Sequence, residues 1–494
     1  MSEAETPTKD HSPPAGAEVE QTWTSADGES ISYTASAGWM VLRKNDKPAA
    51  EVFSIAYVAT DQVDRPVTFV FNGGPGASSA YLHMGTVGPR RVGFPVDGSI
   101  PPMPVELVEN EASWLAFTDL VFIDPVGTGF SRIIEQDANG DEKKKDKDAA
   151  DPKEYFGINR DLEAMAEFMG KWLSQHKRWG SPVFIAGESY GGFRVGKLVR
   201  QLQEHTGIGL NGAILISPAL EFATLTATDY DVLPWIDALP TMAAAALHHR
   251  RSRAFDADTD LATVLAAAEE FATGDYASFL TRGAAMPPDE RSRILTTLAE
   301  LIGLSVEFVT RADGRIPITT FARDLLRDER KVLGMYDATI TAVDPFPDRE
   351  PFQGPDPTLA GYGGAFGAAI NRMIRSEIGV DTDREYTVLS LEVNTDWKVD
   401  MQRHALGGAV GSTDDFRFGM ALNPHMKAFI THGRHDLVTP YYSSDRLRNL
   451  MRLDDSMADR LTVRHFGGGH MFYAWESSRA EFTTAIAEFY AEAV

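Results

Sequence analysis

The chain has 494 residues, 43% of them hydrophobic, enough to bury a large core and to form one big catalytic domain with a substantial insertion, or two to three domains. Its 71 acidic and 47 basic side chains leave a formal charge of -24, which argues against nucleic acid or an anionic membrane as partner, since both require clustered Lys and Arg. With no cysteine, disulfides, thiolate metal sites and thiol catalysis are excluded, and a reducing, cytoplasmic location is the expectation.

Residues 1–21 are acidic and Pro-rich, lack the basic start and apolar stretch of a secretory signal, and are expected to form a disordered tail. No run reaches the roughly 18 apolar residues of a membrane span. Apolar or alternating β-rich stretches then follow at Ser30–Arg43, Ala50–Ala59, Pro66–Phe71, Asp119–Ile123, Pro182–Ala186 and Gly212–Ile216. Leu162, Met165, Ala166, Phe168, Met169, Trp172 and Leu173 recur at helical spacing, so Asn159–His176 reads as a crossover helix between two buried strands. The charged stretch 135–154 reads as a solvated loop.

From residue 223 to 418 the strand rhythm stops. Helical stretches replace it at Thr241–Arg251, Leu261–Thr273, Pro288–Ile302 and Thr320–Arg327, which implies a helical insertion. Within it the Gly-rich run 360–369 lacks the strand and spacing of a dinucleotide site and is expected to be a flexible turn. Strands resume at Lys427–Thr431 and Leu461–Phe466, with a terminal helix from Ser477. The expected architecture is α/β with a mainly parallel sheet, its core split into residues 22–222 and 419–494 and the helical cap of residues 223–418 placed over the strand ends where ligands bind.

Gly187-Glu188-Ser189-Tyr190-Gly191, directly after a strand, has the G-x-S-x-G form of a nucleophile elbow, in which small neighbours allow a sharp turn that leaves the serine projecting. Asp436 follows the strand Lys427–Thr431 and His470 follows the next, which gives the order Ser, Asp, His of the α/β-hydrolases. In that arrangement His470 takes the Ser189 proton and Asp436 fixes the imidazole tautomer. His432 and His465 lie within or at the ends of strands and read as structural, and His435 directly adjoins Asp436, whereas a triad pair comes from separate loops. A metal reading of His432, His435, Asp436 and His470 lacks an H-E-x-x-H motif. No cofactor and no metal are expected. The segment Asn72-Gly73-Gly74-Pro75-Gly76 follows an early strand; it reads as an oxyanion hole with Gly74 as loop donor and Tyr190 as elbow donor, or as a tight turn only.

The blocks at 72–79, 113–131, 187–192, 433–440 and 467–471 closely resemble those of the serine carboxypeptidases, and residues 237–244 look like bacterial members. The resemblance implies an α/β-hydrolase core with a helical cap, release of single residues from peptides with a free C-terminus, and a triad of Ser189, Asp436 and His470. It also implies that Asn72 and Glu188 recognise the substrate carboxylate. Glu188 would repel that carboxylate if both were ionised, but a shared proton makes a strong hydrogen bond, so acidic pH is expected to favour exopeptidase action. Thr86 stands where many members have a glutamate, which removes a third group from that network, and Ala77 stands where eukaryotic members commonly have a disulfide cysteine. Ester hydrolysis or acyl transfer on the same triad, or an idle binding protein, remain as alternatives. Side-chain preference and oligomeric state are not legible.

Overall fold

The computed structural model describes residues 11–60, 62, 64–134, 153–350, 352–400 and 410–494. Strand pairing starts earlier than composition suggests, because β1 (Ala17–Thr24) alternates Ala17, Val19, Gln21 and Trp23 on one face, with Trp23 fully buried. Residues 17–21 therefore belong to a strand and not to a tail: period-two alternation anchored by one tryptophan outweighs an acidic composition. Residues 1–10, and residues 135–152 of the charged loop, lie outside the described residues.

After β1 come β2 (Ser30–Lys44), β3 (Lys47–Ala59), β4 (Val67–Phe71), β5 (Asp119–Ile123), helix α1 (Ile158–Gln175), β6 (Val183–Glu188), α2 (Tyr190–Gln201) and β7 (Gly212–Ile216). The next segments are α3 (Leu233–His248), α4 (Leu261–Phe271), α5 (Pro288–Ile302), the hairpin β8 (Lys331–Leu333) and β9 (Thr341–Val343), and α6 (Pro357–Arg372). The chain closes with β10 (Lys427–Thr431), α7 (Tyr441–Leu450), β11 (Leu461–Val463) and α8 (Glu476–Ala493).

The central sheet runs β1-β2-β3-β5-β4-β6-β7-β10-β11. It is antiparallel from β1 to β5 and parallel from β5 onward. Strands β4, β5 and β7 are buried at every residue, as expected of parallel strands covered on both faces. One core cluster holds Phe122, Phe184, Phe429, Phe482 and Tyr490; another, on the opposite face, holds Phe69, Ile185, Trp172, Phe193 and Leu215.

The inserted helices have a core of their own, including Leu239, Val264, Phe279, Leu298, Phe321 and Leu333, which Leu437 joins from the loop after β10. Helix α3 begins eight residues before the expected Thr241, with Pro234 in its first turn and a second proline, Pro240, inside it. The three-residue strands β8 and β9 are too short to leave a sequence pattern. The Gly-rich run 360–369 is helical, not a turn: Asp356 caps α6 by accepting from the amides of Thr358 and Leu359, and Tyr362, Ala365, Phe366, Ala369 and Ile370 form a buried stripe. Burial of that stripe in the main core, with the Phe366 ring 4.9 Å from that of Tyr81, outweighs the weak helix propensity of glycine.

Candidate active site

The elbow between β6 and α2 holds Ser189 at φ 63° and ψ -123°, a conformation costly for a residue with a side chain. Its backbone is fixed from both sides: the Ser189 amide donates to Ile216 O at 2.9 Å, and Ala219 N donates to Ser189 O at 3.1 Å. The flanking glycines answer to space. A Cβ on Gly187 would come within 2.3 Å of Gly191 O, and one on Gly192 within 2.4 Å of the Pro218 Cβ.

Asn72, Ser189, Asp436 and His470 all lie beyond the carboxyl ends of parallel strands, where open α/β sheets hold their ligands. His470 Nδ1–H donates to Asp436 Oδ2 at 2.6 Å, and both side chains are buried. Asp436 Oδ1 accepts from the amides of Val438 at 2.9 Å and Thr439 at 3.0 Å, and its Oδ2 also accepts from the Thr439 hydroxyl at 2.6 Å. Burial works to lower the His470 pKa; the charge of Asp436 and its hydrogen bond outweigh it, with a smaller push from Glu188, so the imidazole is held above its ordinary value. That is the environment of a base that must carry a proton during a reaction.

Ser189 and His470 line one narrow cavity of about 50 Å³ with Asn72, Gly74, Glu188 and Tyr336. No hydrogen bond joins the Ser189 hydroxyl to the ring; they share the cavity wall, and such contacts commonly tighten only when substrate binds. Gly74 is on that wall, and the preceding Gly73 abuts the elbow so closely that a Cβ there would sit 2.4 Å from Tyr190 N. The two backbone donors named for an oxyanion, Gly74 and Tyr190, thus belong to segments in direct contact.

Glu188 is buried, accepts from the Tyr473 hydroxyl at 2.6 Å and is hydrogen-bonded to the Asn72 side chain. The Asn72 amide is oriented by its Oδ1, which accepts from Leu82 N at 3.0 Å, while its carbonyl accepts from Arg194, itself paired bidentately with Asp161. Burial is the largest influence on Glu188 and pushes its pKa up to about 7, against the lowering effects of His470, Tyr473 and Asn72. Thr86 is buried with its hydroxyl unpaired. Sequence reasoning missed Tyr473. It reaches Glu188 because Gly85 leaves room, a Cβ there falling 2.3 Å from the tyrosine ring. Thr439 was also missed, although an Asp with a hydroxyl residue three positions on is a readable turn signal.

The other histidines are tied elsewhere. His432 bonds to Thr439 O and Ser444 Oγ, His465 to Asp445, and His435 stacks on Trp475. Among the described residues no group of three or more His, Asp or Glu side chains is arranged to hold a metal ion, and no helix is long and apolar enough to cross a membrane.

A mainly parallel sheet with a serine at a strained strand–helix turn and an Asp–His pair beyond its last two strands defines an α/β-hydrolase. Residues 28–251 match the family described as Serine carboxypeptidase. It is 27% identical to Serine carboxypeptidase-like 46 of Arabidopsis thaliana over 202 residues, 39% of this chain and 38% of that one. It is 34% identical to the pheromone-processing carboxypeptidase KEX1 of Saccharomyces cerevisiae over 170 residues, 32% of this chain and 20% of that one. These matches span well under half of either relative's length. The crystal structure of KEX1(delta)p, a prohormone-processing carboxypeptidase from Saccharomyces cerevisiae, shares the fold, with a TM-score of 0.55 over 94% of this chain and 92% of that one at 17% identity. The family match includes Asn72, Glu188 and Ser189; Asp436 and His470 lie beyond it.

Proposed function

We propose that the protein is a serine carboxypeptidase of bacterial type that releases single residues from the free C-terminus of peptides. The observation that carries this reading is Glu188: a buried carboxyl directly before Ser189, hydrogen-bonded to Asn72 and held largely neutral below about pH 7. A neutral carboxyl at that place donates to a peptide carboxylate, whereas an ester or internal peptide offers it no such partner. With the terminal carboxylate at Asn72 and Glu188, the last peptide carbonyl lies at Ser189. Ser189 Oγ attacks it as His470 Nε2 takes the hydroxyl proton, and the amides of Gly74 and Tyr190 hold the oxyanion. Collapse expels the terminal amino acid, whose nitrogen takes the proton from His470, and water, deprotonated by the same imidazole, hydrolyses the acyl-enzyme. The residues 237–244 within α3 support the bacterial-type assignment.

The test is hydrolysis of one N-blocked dipeptide, as free acid and as C-terminal amide, between pH 5 and 8. The free acid should be strongly preferred at pH 5, with the preference fading above pH 7, and Ser189→Ala should lose at least about 10³-fold in kcat while remaining folded. Equal turnover of acid and amide at pH 5, dependent on Ser189, would overturn the exopeptidase reading.

A further inference from the structure

The inserted segment reaches into the catalytic frame. The tip of the β8–β9 hairpin, residues 334–340, bonds to both loops that carry the acid and the base. Leu437 N donates to Met335 O at 3.0 Å and Ala338 N to His435 O at 3.0 Å, so the tip brackets Asp436 on either side. His470 N donates to Tyr336 O at 2.5 Å, and Gly469 N donates to Asp337 Oδ2 at 2.9 Å. The Tyr336 ring stands edge-on to the imidazole, with centroids 5.2 Å apart at 90°. Contact is so close that a Cβ on Gly469 would fall 2.2 Å from Tyr336 O and 2.4 Å from Asp337 Cα.

Asp337 organises this tip. It is 2% exposed; its Oδ1 accepts from the amide and hydroxyl of Thr339 at 2.9 and 2.6 Å, which closes the turn, and its Oδ2 is left for Gly469. The tip is anchored behind by Asp337 N donating to Thr358 Oγ1 at 3.2 Å and Met335 N to Asp356 Oδ2 at 2.6 Å, both partners lying at the start of α6. The Asp436 and His470 loops follow different strands, and β11, which precedes the His470 loop, is an edge strand of three residues. A three-residue edge strand fixes such a loop poorly by itself.

We propose that Asp337 is a positioning residue for the catalytic base: through Gly469 it sets the backbone that aims His470 between Asp436 and Ser189. This rests on the triad reading above. It touches no substrate, so its loss shows in turnover and not in affinity, and a displacement of about 1 Å costs up to about 100-fold.

The experiment compares Asp337→Asn, Gly469→Ala and Thr339→Val in the full chain, by kcat and KM on the free-acid dipeptide and by the low-field proton resonance of His470 Nδ1–H, identified by its loss in His470→Ala. In Asp337→Asn the side-chain oxygen stays with the two Thr339 donors, which leaves the amide nitrogen against Gly469 N–H, and Gly469→Ala forces the two segments apart. Both should lower kcat by about 10- to 100-fold with KM within twofold, and both should shift that resonance. Thr339→Val removes a bond from the carboxylate oxygen that does not face Gly469 and should leave kcat and resonance near wild type. A wild-type kcat and an unchanged resonance in Asp337→Asn, or an equal loss in Thr339→Val, overturns the proposal. If Asp337→Asn does not fold, Gly469→Ala carries the same two readings. If the wild-type protein hydrolyses neither dipeptide, the carboxypeptidase reading fails, and the resonance alone then decides for or against the positioning role.

Discussion

A carboxyl whose pKa is pushed up to about 7 ties the proposed selectivity to stability at Glu188. In the folded protein the proton is kept up to about pH 7, while in the unfolded chain it is lost near the ordinary value of 4.5. The favourable contribution is complete below pH 4.5 and drains away as pH rises through 7, by about 3 kcal/mol for this one group. Glu188→Gln, neutral at every pH, escapes that loss. The variant's Tm relative to wild type should therefore rise between pH 5 and 8, while its free-acid to amide ratio becomes insensitive to pH over the same range. A flat Tm difference would mean that Glu188 is not held neutral. The elbow itself was legible because its steric demands are local: Gly187 and Gly191 are written beside Ser189 in the chain. The hydroxyl that completes the Glu188 environment was not, since Tyr473 is remote in sequence and meets it only through the space left at Gly85.

Among the elements, α6 shows where local preference and tertiary demand part. Its glycines suggested a turn, yet Asp356, Pro357 and the apolar stripe from Tyr362 to Ile370 specify a helix. Gly363 and Gly364 have open space where a Cβ would stand, so Ala at either should raise stability by about 0.5–1 kcal/mol, measured as Tm. Gly361→Ala should return less, because its Cβ would meet the Ile100 side chain at 2.3 Å. The expected strands from Pro66 to Ile216 were readable because each is a short, largely apolar run in a sheet covered on both faces. The β8–β9 hairpin was not, because strands of three residues carry no period and their reason for existing lies in the loops they touch.

Across the whole molecule, insertion and core are joined by an ion pair: Asp237 on α3, 1% exposed, accepts from Arg446 Nε at 2.8 Å and Nη2 at 2.7 Å on α7. Asp237→Ala leaves a guanidinium in a poorly hydrated seam and should cost about 3 kcal/mol in denaturant unfolding, whereas the double change Asp237→Leu with Arg446→Met should recover most of it. If the single and double variants lose the same amount, packing and not charge holds the seam. The α/β class and the mainly parallel sheet could be read from the chain; how the segment after residue 223 touches the rest could not, since contacts between distant segments leave no periodicity. The hairpin tip at residues 334–340 limits how such a fold can be re-engineered. The helices α4 and α5 are open to replacement by those of another α/β-hydrolase fold, as a glove is changed, but a graft that discards the tip takes away part of the wrist: the segment facing Gly469 must travel with the core or be redesigned together with it.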